Sequence, residues 1–181
     1  SYGSTYRLPV LITRGSNTYG PNQYPEKFIP LCITNAIDDQ PLPLYGDGRY
    51  RRDWLSVFDH CGAIEHVLRH GEAGSIYNIS GGNERENITV AEAILKHLGK
   101  PVSLIRYVQD RPGHDRRYAV DCSRLRALGW TPTIPFEEGL QATVDWYRGN
   151  EAWWRKIKSG EFRAYYEQVY GQRLKDGGRG I

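Results

Sequence analysis

The sequence predicts an α/β chain, on three observations. Short apolar runs with β-branched residues recur at 8–14, 75–80 and 102–108, and segments of helical periodicity lie between them. Strands alternating with helices in this way indicate an α/β or α+β unit. At 181 residues the chain suffices for one domain that buries roughly 70% of its unfolded-chain surface. With 39% hydrophobic and 12% aromatic residues, the composition is globular and not disordered.

Each element has a local reason. "LPVLITR" (8–14) is a short apolar run, read as a buried strand. "SNTYGPNQYP" (16–25) is a loop rich in Asn, Gly and Pro. Residues 28–37 form a helix, with Pro30 tolerated in its first turns. "PLPLYGDG" (41–48) is a strand ending in a turn. Over 59–70, Cys61, Ile64, Val67 and Leu68 fall on one helix face, and Gly71 is the stop. "SIYNIS" (75–80) is a strand. Thr89-Val-Ala-Glu92 is a capping box opening a helix that carries Val90, Ile94 and Leu98 on one face, with Gly99 after it. "VSLIRYV" (102–108) is a further strand, 123–128 a short helix ending at Gly129, and 136–170 a mostly helical stretch rich in Trp and Tyr. Residues 175–181, "KDGGRGI", read as a frayed tail.

Composition excludes several functions. A net charge of +3 without a basic stripe implies neither a nucleic-acid nor a membrane partner. Cys32, Cys61 and Cys122 are scattered and odd in number, as expected of reduced cysteines in a cytoplasmic protein. No segment approaches the ~20 apolar residues of a membrane span. There is no P-loop, no Gly-rich dinucleotide turn after an N-terminal strand, and no Tyr-x-x-x-Lys. Methionine is absent even at position 1, and the chain opens abruptly, which predicts the remainder of a longer polypeptide or a chain trimmed at its start.

The polar clusters point to an anion. "DRPGHDRRY" (110–118) follows a strand, where α/β folds place binding loops. Arginine offers a fixed fork of donors suited to phosphate, and Pro-Gly gives a ligand close access to the backbone. Arg116 and Arg117 are expected to pair on the surface with Asp110, Asp115 or Asp121. For Arg111 and His114, surface pairing and anion contact both stay open. "GDGRYRRDW" (46–54) is a second cluster, a Gly-Asp-Gly turn followed by Arg51, Arg52 and Asp53. Two arginine clusters at turns beside strands suggest an anionic small molecule, with a diphosphate the natural candidate. "SNTYGPNQYPEKF" (16–28) and the Gly- and Asn-rich "SGGNEREN" (80–87) are weaker candidates. His60, His66, His70 and His97 lie on helical patterns, where surface or capping roles are expected rather than metal binding. The residues alone reach an anion-binding α/β unit without visible catalytic machinery.

"SNTYGPNQYPEKFIP", "PLPLYGDGRYRRDWLSVFDH", "YNISGGNERENITV" and "DRPGHDRRYAVD", in this order, resemble the C-terminal half of the dTDP-glucose 4,6-dehydratase family of extended short-chain dehydrogenases. Asn-x-Tyr-Gly-Pro is shared by many nucleotide-sugar epimerases and dehydratases; the Pro-Glu-Lys and Asp-Arg-Pro-Gly-His runs are more specific to the dehydratase. The resemblance implies a substrate-binding part that carries one or more strands of an otherwise missing Rossmann sheet. Residues 1–25 would end the Rossmann domain and 26–174 would bind the nucleotide-sugar. It implies that Asn17 contacts substrate and that Thr18, where many members have Asn, lies near the nicotinamide. Lys27 and Phe28 would meet the nucleotide-sugar, and Pro43, Leu44 and Tyr45 would wall the thymine and deoxyribose. Arg52 and Arg111 would clamp the diphosphate, Asn87 would add a hydrogen bond, and His114 would complete the pocket.

The family's reaction oxidises the sugar at C4 with a tightly held NAD, eliminates water across C5–C6 and returns the hydride to C6. The resemblance assigns the parts that do this to the N-terminal half, so NAD is expected in the full-length family and not on this chain alone. The expected partner is dTDP-glucose or a related nucleotide-sugar, bound without turnover. Alternatives are a UDP-sugar epimerase or decarboxylase fragment and a non-enzymatic nucleotide-sugar-binding module. A buried strand at 8–14 without sheet neighbours also predicts self-association through that segment.

Overall fold

The computed structural model describes residues 2–171, 173 and 174; the expected tail at 175–181 lies outside them. In chain order the elements are α1 (Tyr2–Tyr6), β1 (Ile12–Gly15), β2 (Asn17–Tyr19), α2 (Phe28–Ile37), β3 (Leu42–Tyr45), β4 (Arg51–Ser56), α3 (Val57–His70), β5 (Ile76–Ile79), β6 (Glu84–Glu86), α4 (Asn87–Leu98), β7 (Ile105–Val108), β8 (Arg117–Tyr118), α5 (Ser123–Ala127), α6 (Phe136–Gly149), α7 (Glu151–Lys158) and α8 (Glu161–Tyr166). A single 3-10 turn at Val102–Leu104 precedes β7, and a π turn at Glu167–Gly171 follows α8.

The strands form three small sheets. β1 pairs in parallel with β5, Ile12 opposite Ile76. β3 pairs in parallel with β7, Leu42 opposite Ile105. β4 is the hub of the third: it is parallel to β2 (Asn17 opposite Trp54) and to β8, and antiparallel to β6. Successive side chains of a strand point to opposite faces, and β4 uses this to join two cores. Trp54 enters a cluster with Ile29, Ile33, Leu44, Ile94, Leu140 and Trp154. Leu55 enters a second with Ala63, Val67, Tyr77, Ile79 and Leu125. α2 lies within the larger core, with Ile29 to Ala36 all buried, which its nearly unbroken apolar sequence requires.

Several expected elements change shape for identifiable reasons. The strand at 8–14 is confined to Ile12–Gly15, and its apolar residues are not buried: Leu8 is 50% and Ile12 49% exposed. β1 has β5 as its one strand partner among the described residues, so its other edge pairs with no strand there. The first residues of the 16–25 loop are β2, drawn into pairing by β4. Arg51, Arg52 and Asp53, read as a charged cluster after a turn, begin a strand, 51–56, because three neighbours hydrogen-bond to it. The start of 102–108 is a turn closed by Leu104 N–H on the Pro101 carbonyl, and pairing begins at Ile105.

The capping box does not open α4, which starts at Asn87 straight out of β6. The first-turn N–H groups of Asn87 and Ile88 donate instead to the carbonyls of Tyr50 (3.0 Å) and Gly48 (2.9 Å). Tertiary backbone acceptors thus do the work of a side-chain cap. α3 is also rolled from its expected face: Asp59, Ala63 and Val67 are buried, while Cys61, Ile64 and Leu68 are exposed. The Asp59 carboxylate fixes this roll. It accepts from Thr133 N–H (3.0 Å), Thr133 Oγ1 (2.8 Å) and Ile134 N–H (3.0 Å). Gly99 does close α4 in the left-handed region, with φ +66°. No helix among the described residues is long and apolar enough to cross a membrane.

Candidate functional site

β4 brings the two arginine clusters together. Gly46 and Gly48, at φ +56° and +73°, make the turn that precedes it. Arg51 N–H donates to the Arg116 carbonyl (2.9 Å), tying the 109–116 loop to the start of the strand. Arg52 then reaches into that loop. Its Nη1 donates to the Arg51 carbonyl (2.7 Å) and its Nη2 to the Asp115 carbonyl (2.9 Å). Nη2 also lies 2.9 Å from His114 Nε2.

This last contact fixes the histidine tautomer. A guanidinium has donors and no acceptor, so His114 Nε2 is the bare nitrogen and Nδ1 carries the proton. Nδ1–H donates to Asp110 Oδ1 at 2.7 Å. The same carboxylate accepts the Arg111 backbone N–H (2.9 Å) and the Tyr50 hydroxyl. The His114 ring stacks on Tyr50, centroids 3.9 Å apart and planes 10° from parallel, and meets Tyr45 edge-on at 5.7 Å.

The arginines divide by charge. Arg116 grips Asp47 with two bonds of 2.7 Å, and Arg117 grips Glu84 at 2.8 and 2.6 Å. Hydrogen bonding to Arg116 holds the Asp47 carboxyl well below its ordinary range, and Arg117 lowers Glu84 likewise. Surface pairing thus holds for both arginines, but with Asp47 and Glu84 in place of the expected Asp110, Asp115 and Asp121. Arg52 and Arg111 have no carboxylate in ion-pair contact among the described residues. Burial lowers the Arg52 pKa, the like charge of Arg111 lowers it further, and Asp115 opposes the shift. Two neighbouring cations, one partly desolvated, form a focus of positive potential that an anion relieves.

The remaining expected residues stand on β2, α2, β3 and α4 and at the start of α2. Arg52 and Trp54 are two apart and share a face of β4. Asn17 stands opposite Trp54, and Phe28, the first residue of α2, stacks on it at 5.9 Å. Lys27 precedes Phe28 at the helix start, its ammonium exposed and 3.6 Å from Glu26. Asn87 opens α4 beside Tyr50, and its buried Oδ1 has no hydrogen-bond partner among the described residues; the same is true of the buried Trp54 Nε1. On β3 the Leu44 side chain is locked in the core. Pro43 and Tyr45 alternate with it along the strand. Arg173 Nη1 donates to the Tyr45 hydroxyl at 3.1 Å. Thr18 is apart from Asn17, on the opposite face of β2, and its Oγ1 is 2.7 Å from His60 Nδ1 and 3.3 Å from the Ser16 carbonyl.

A family model described as GDP-mannose 4,6 dehydratase matches residues 1–143. The chain belongs to this family. It is 52% identical over 156 residues to a dTDP-glucose 4,6-dehydratase of Streptomyces niveus, covering 86% of this chain and 46% of that one. The crystal structure of dTDP-glucose 4,6-dehydratase from Bacillus anthracis in complex with NAD matches with a TM-score of 0.81 at 54% identity, over 87% of this chain and 50% of that one. The Streptomyces venezuelae enzyme with NAD and TYD bound matches at 0.83 and 49% identity, over 87% and 49%. The chain spans about half the length of the curated relatives it matches. Its parallel strand pairs are those of an α/β portion of the extended short-chain dehydrogenase fold.

NAD is bound in the two solved relatives of this dehydratase-family chain. No Gly-rich strand-to-helix turn occurs in the sequence, and the Thr18 hydroxyl is already engaged by His60 and Ser16. No group of His, Cys, Asp or Glu among the described residues could hold a metal ion. Sequence reasoning missed Tyr50, Trp54, Asp110 and His60. Asp110 was legible as the residue four before His114, yet it was read as an arginine partner. Tyr50 carried no signal beyond lying inside an arginine-rich turn. His60, read as a surface or capping group, is half-buried against Gly15, and burial lowers its pKa.

Proposed function

We propose that this chain is the nucleotide-sugar-binding part of a dTDP-glucose 4,6-dehydratase, corresponding to the C-terminal half of that enzyme. The observation that carries the reading is the pair Arg52 and Arg111, neighbouring in charge, without ion-paired carboxylates among the described residues, beside the buried ring of His114. In this reading the pair clamps the diphosphate. Phe28 and Asn17, aligned along β4 through Trp54, meet the sugar side with Lys27, and Pro43 and Tyr45 wall the base. Leu44 contributes by seating β3 in the core. The unpartnered Oδ1 of Asn87 accepts from a ligand hydroxyl.

Residues 26–174 are the binding domain, and 1–25 belong with a dinucleotide-binding sheet. NAD is not held by this chain alone, and the chain binds without turnover because it has no Tyr-x-x-x-Lys. The exposed apolar residues Leu8, Val10 and Ile12, beside a β1 edge that pairs with no described strand, support self-association through 8–14.

Calorimetric titration with dTDP-glucose and UDP-glucose tests the reading. The expected result is binding with preference for dTDP-glucose. A preference for UDP-glucose moves the chain to the epimerase or decarboxylase class, and a folded chain that binds neither overturns the proposal.

A further inference from the structure

We propose that Tyr50 and Asp110 are positioning residues that aim Arg52 at a diphosphate through the ring of His114. The inference rests on the clamp assigned above to Arg52 and Arg111 and adds what holds it in place. Four contacts carry it. The Tyr50 hydroxyl and His114 Nδ1–H both donate to Asp110, the latter at 2.7 Å. His114 Nε2 accepts from Arg52 Nη2 at 2.9 Å, and the imidazole lies flat on the Tyr50 ring at 3.9 Å.

The chain of bonds has one polarity. Ionised Asp110 can only accept, so it keeps the His114 proton on Nδ1; Nε2 is then left as an acceptor, and the donor it meets among the described residues is the guanidinium of Arg52. One nitrogen of Arg52 is thereby pinned to the loop. Its rotation about the side chain is limited, and the guanidinium is oriented before any ligand arrives.

Tyr50 has the packing such a role needs. It is 8% exposed, the Arg116 guanidinium lies 4.9 Å from its centroid, and its ring passes beside Gly46. A Cβ at Gly46 would stand 3.3 Å from the ring. The two arginine clusters of the sequence are therefore one device: the 46–54 segment supplies the platform and the clamp, and the 110–118 segment supplies the histidine that aligns it. Arg116 and Asp47, ion-paired at the rim, brace the outer side of the platform.

The experiment uses the full chain, thymidine diphosphate and thymidine as probes, and the conservative variants Tyr50→Phe and Asp110→Asn. Ring nitrogen shifts of His114, measured by NMR without ligand, read the tautomer directly, which a merely structural role would not move. The expected result is Nδ1–H in the native chain and a mixture of tautomers in Asp110→Asn. Both variants weaken thymidine diphosphate about tenfold and leave thymidine unchanged. A native His114 protonated on Nε2, or variants that bind thymidine diphosphate as the native chain does, overturns the inference alone. A folded native chain that does not bind thymidine diphosphate overturns the clamp itself, so the two failures are told apart.

Discussion

The carboxylate of Asp53, 1% exposed on β4, accepts the backbone N–H of Gly81 at 3.0 Å, and its other oxygen accepts that of Asn83 at 2.7 Å. One buried side chain thus fastens the loop after β5 to the strand that carries Arg52 and Trp54. Asp53→Asn is expected to destabilise the chain by roughly 2 kcal/mol, because the amide turns a donor toward one of these N–H groups. Gly81 has its own constraint: a Cβ there would run into the Trp54 carbonyl. Gly81→Ala is expected to cost roughly 1–3 kcal/mol. Gly62→Ala, on α3 with nothing near its Cβ, is expected to stabilise by up to about 1 kcal/mol. Urea unfolding midpoints of the three variants check the order and the opposite sign of the last.

His60 makes stability depend on pH in a definite direction. Burial lowers its folded pKa below the ordinary value of 6.5. In the window between those two values the unfolded chain binds a proton that the folded chain does not, so stability rises with pH. The benefit of keeping the imidazole neutral is full above the unfolded pKa and declines as pH falls below it. His60→Gln is expected to flatten the difference in unfolding midpoint between pH 7.5 and 5.5. Subtracting the variant's profile from the native one removes the contributions of all other groups. An unchanged slope would contradict the burial of the ring against Gly15.

The β1–β5 pair leaves an apolar patch. Ile12 and Ile76 stand opposite each other, 49% and 38% exposed. Leu8 and Val10 add to it from the preceding segment. Sedimentation over a range of concentrations is expected to show reversible self-association, reduced by Ile12→Lys. A chain that stays monomeric at the highest concentration contradicts this expectation.

Much of this was legible in the sequence, and the failures share a cause. α2 was found because its apolar sequence is dense and local, whereas the one helical stretch read over 136–170 is divided into α6, α7 and α8. The surface pairing of Arg116 and Arg117 was found because exposed arginines ordinarily meet carboxylates, but which carboxylates depended on the β4–β6–β8 arrangement, which no local pattern encodes. The same holds for α4, whose first turn is capped by the Tyr50 and Gly48 carbonyls. It holds too for α3, whose roll is set by Asp59 bonding to residues 133–134. A helical wheel cannot weigh a buried carboxylate satisfied from a segment seventy residues away. At the candidate site, residues with a chemical signature, Arg52, Arg111 and His114, stood out. Tyr50 and Asp110, which act through them, became visible with the tautomer that Arg52 imposes on His114.

Thymidine diphosphate titration of the native chain, Arg52→Ala, Arg111→Ala and Arg117→Ala tests the central claim most directly. Hydrogen bonds to charged groups contribute about 1.5–3 kcal/mol, so loss of either clamp residue is expected to weaken binding by roughly 10- to 100-fold. Arg117, neutralised by Glu84, is expected to change affinity by less than about threefold. Equal effects of all three, or a clamp variant that binds like the native chain, would contradict the assignment of Arg52 and Arg111 as the diphosphate site.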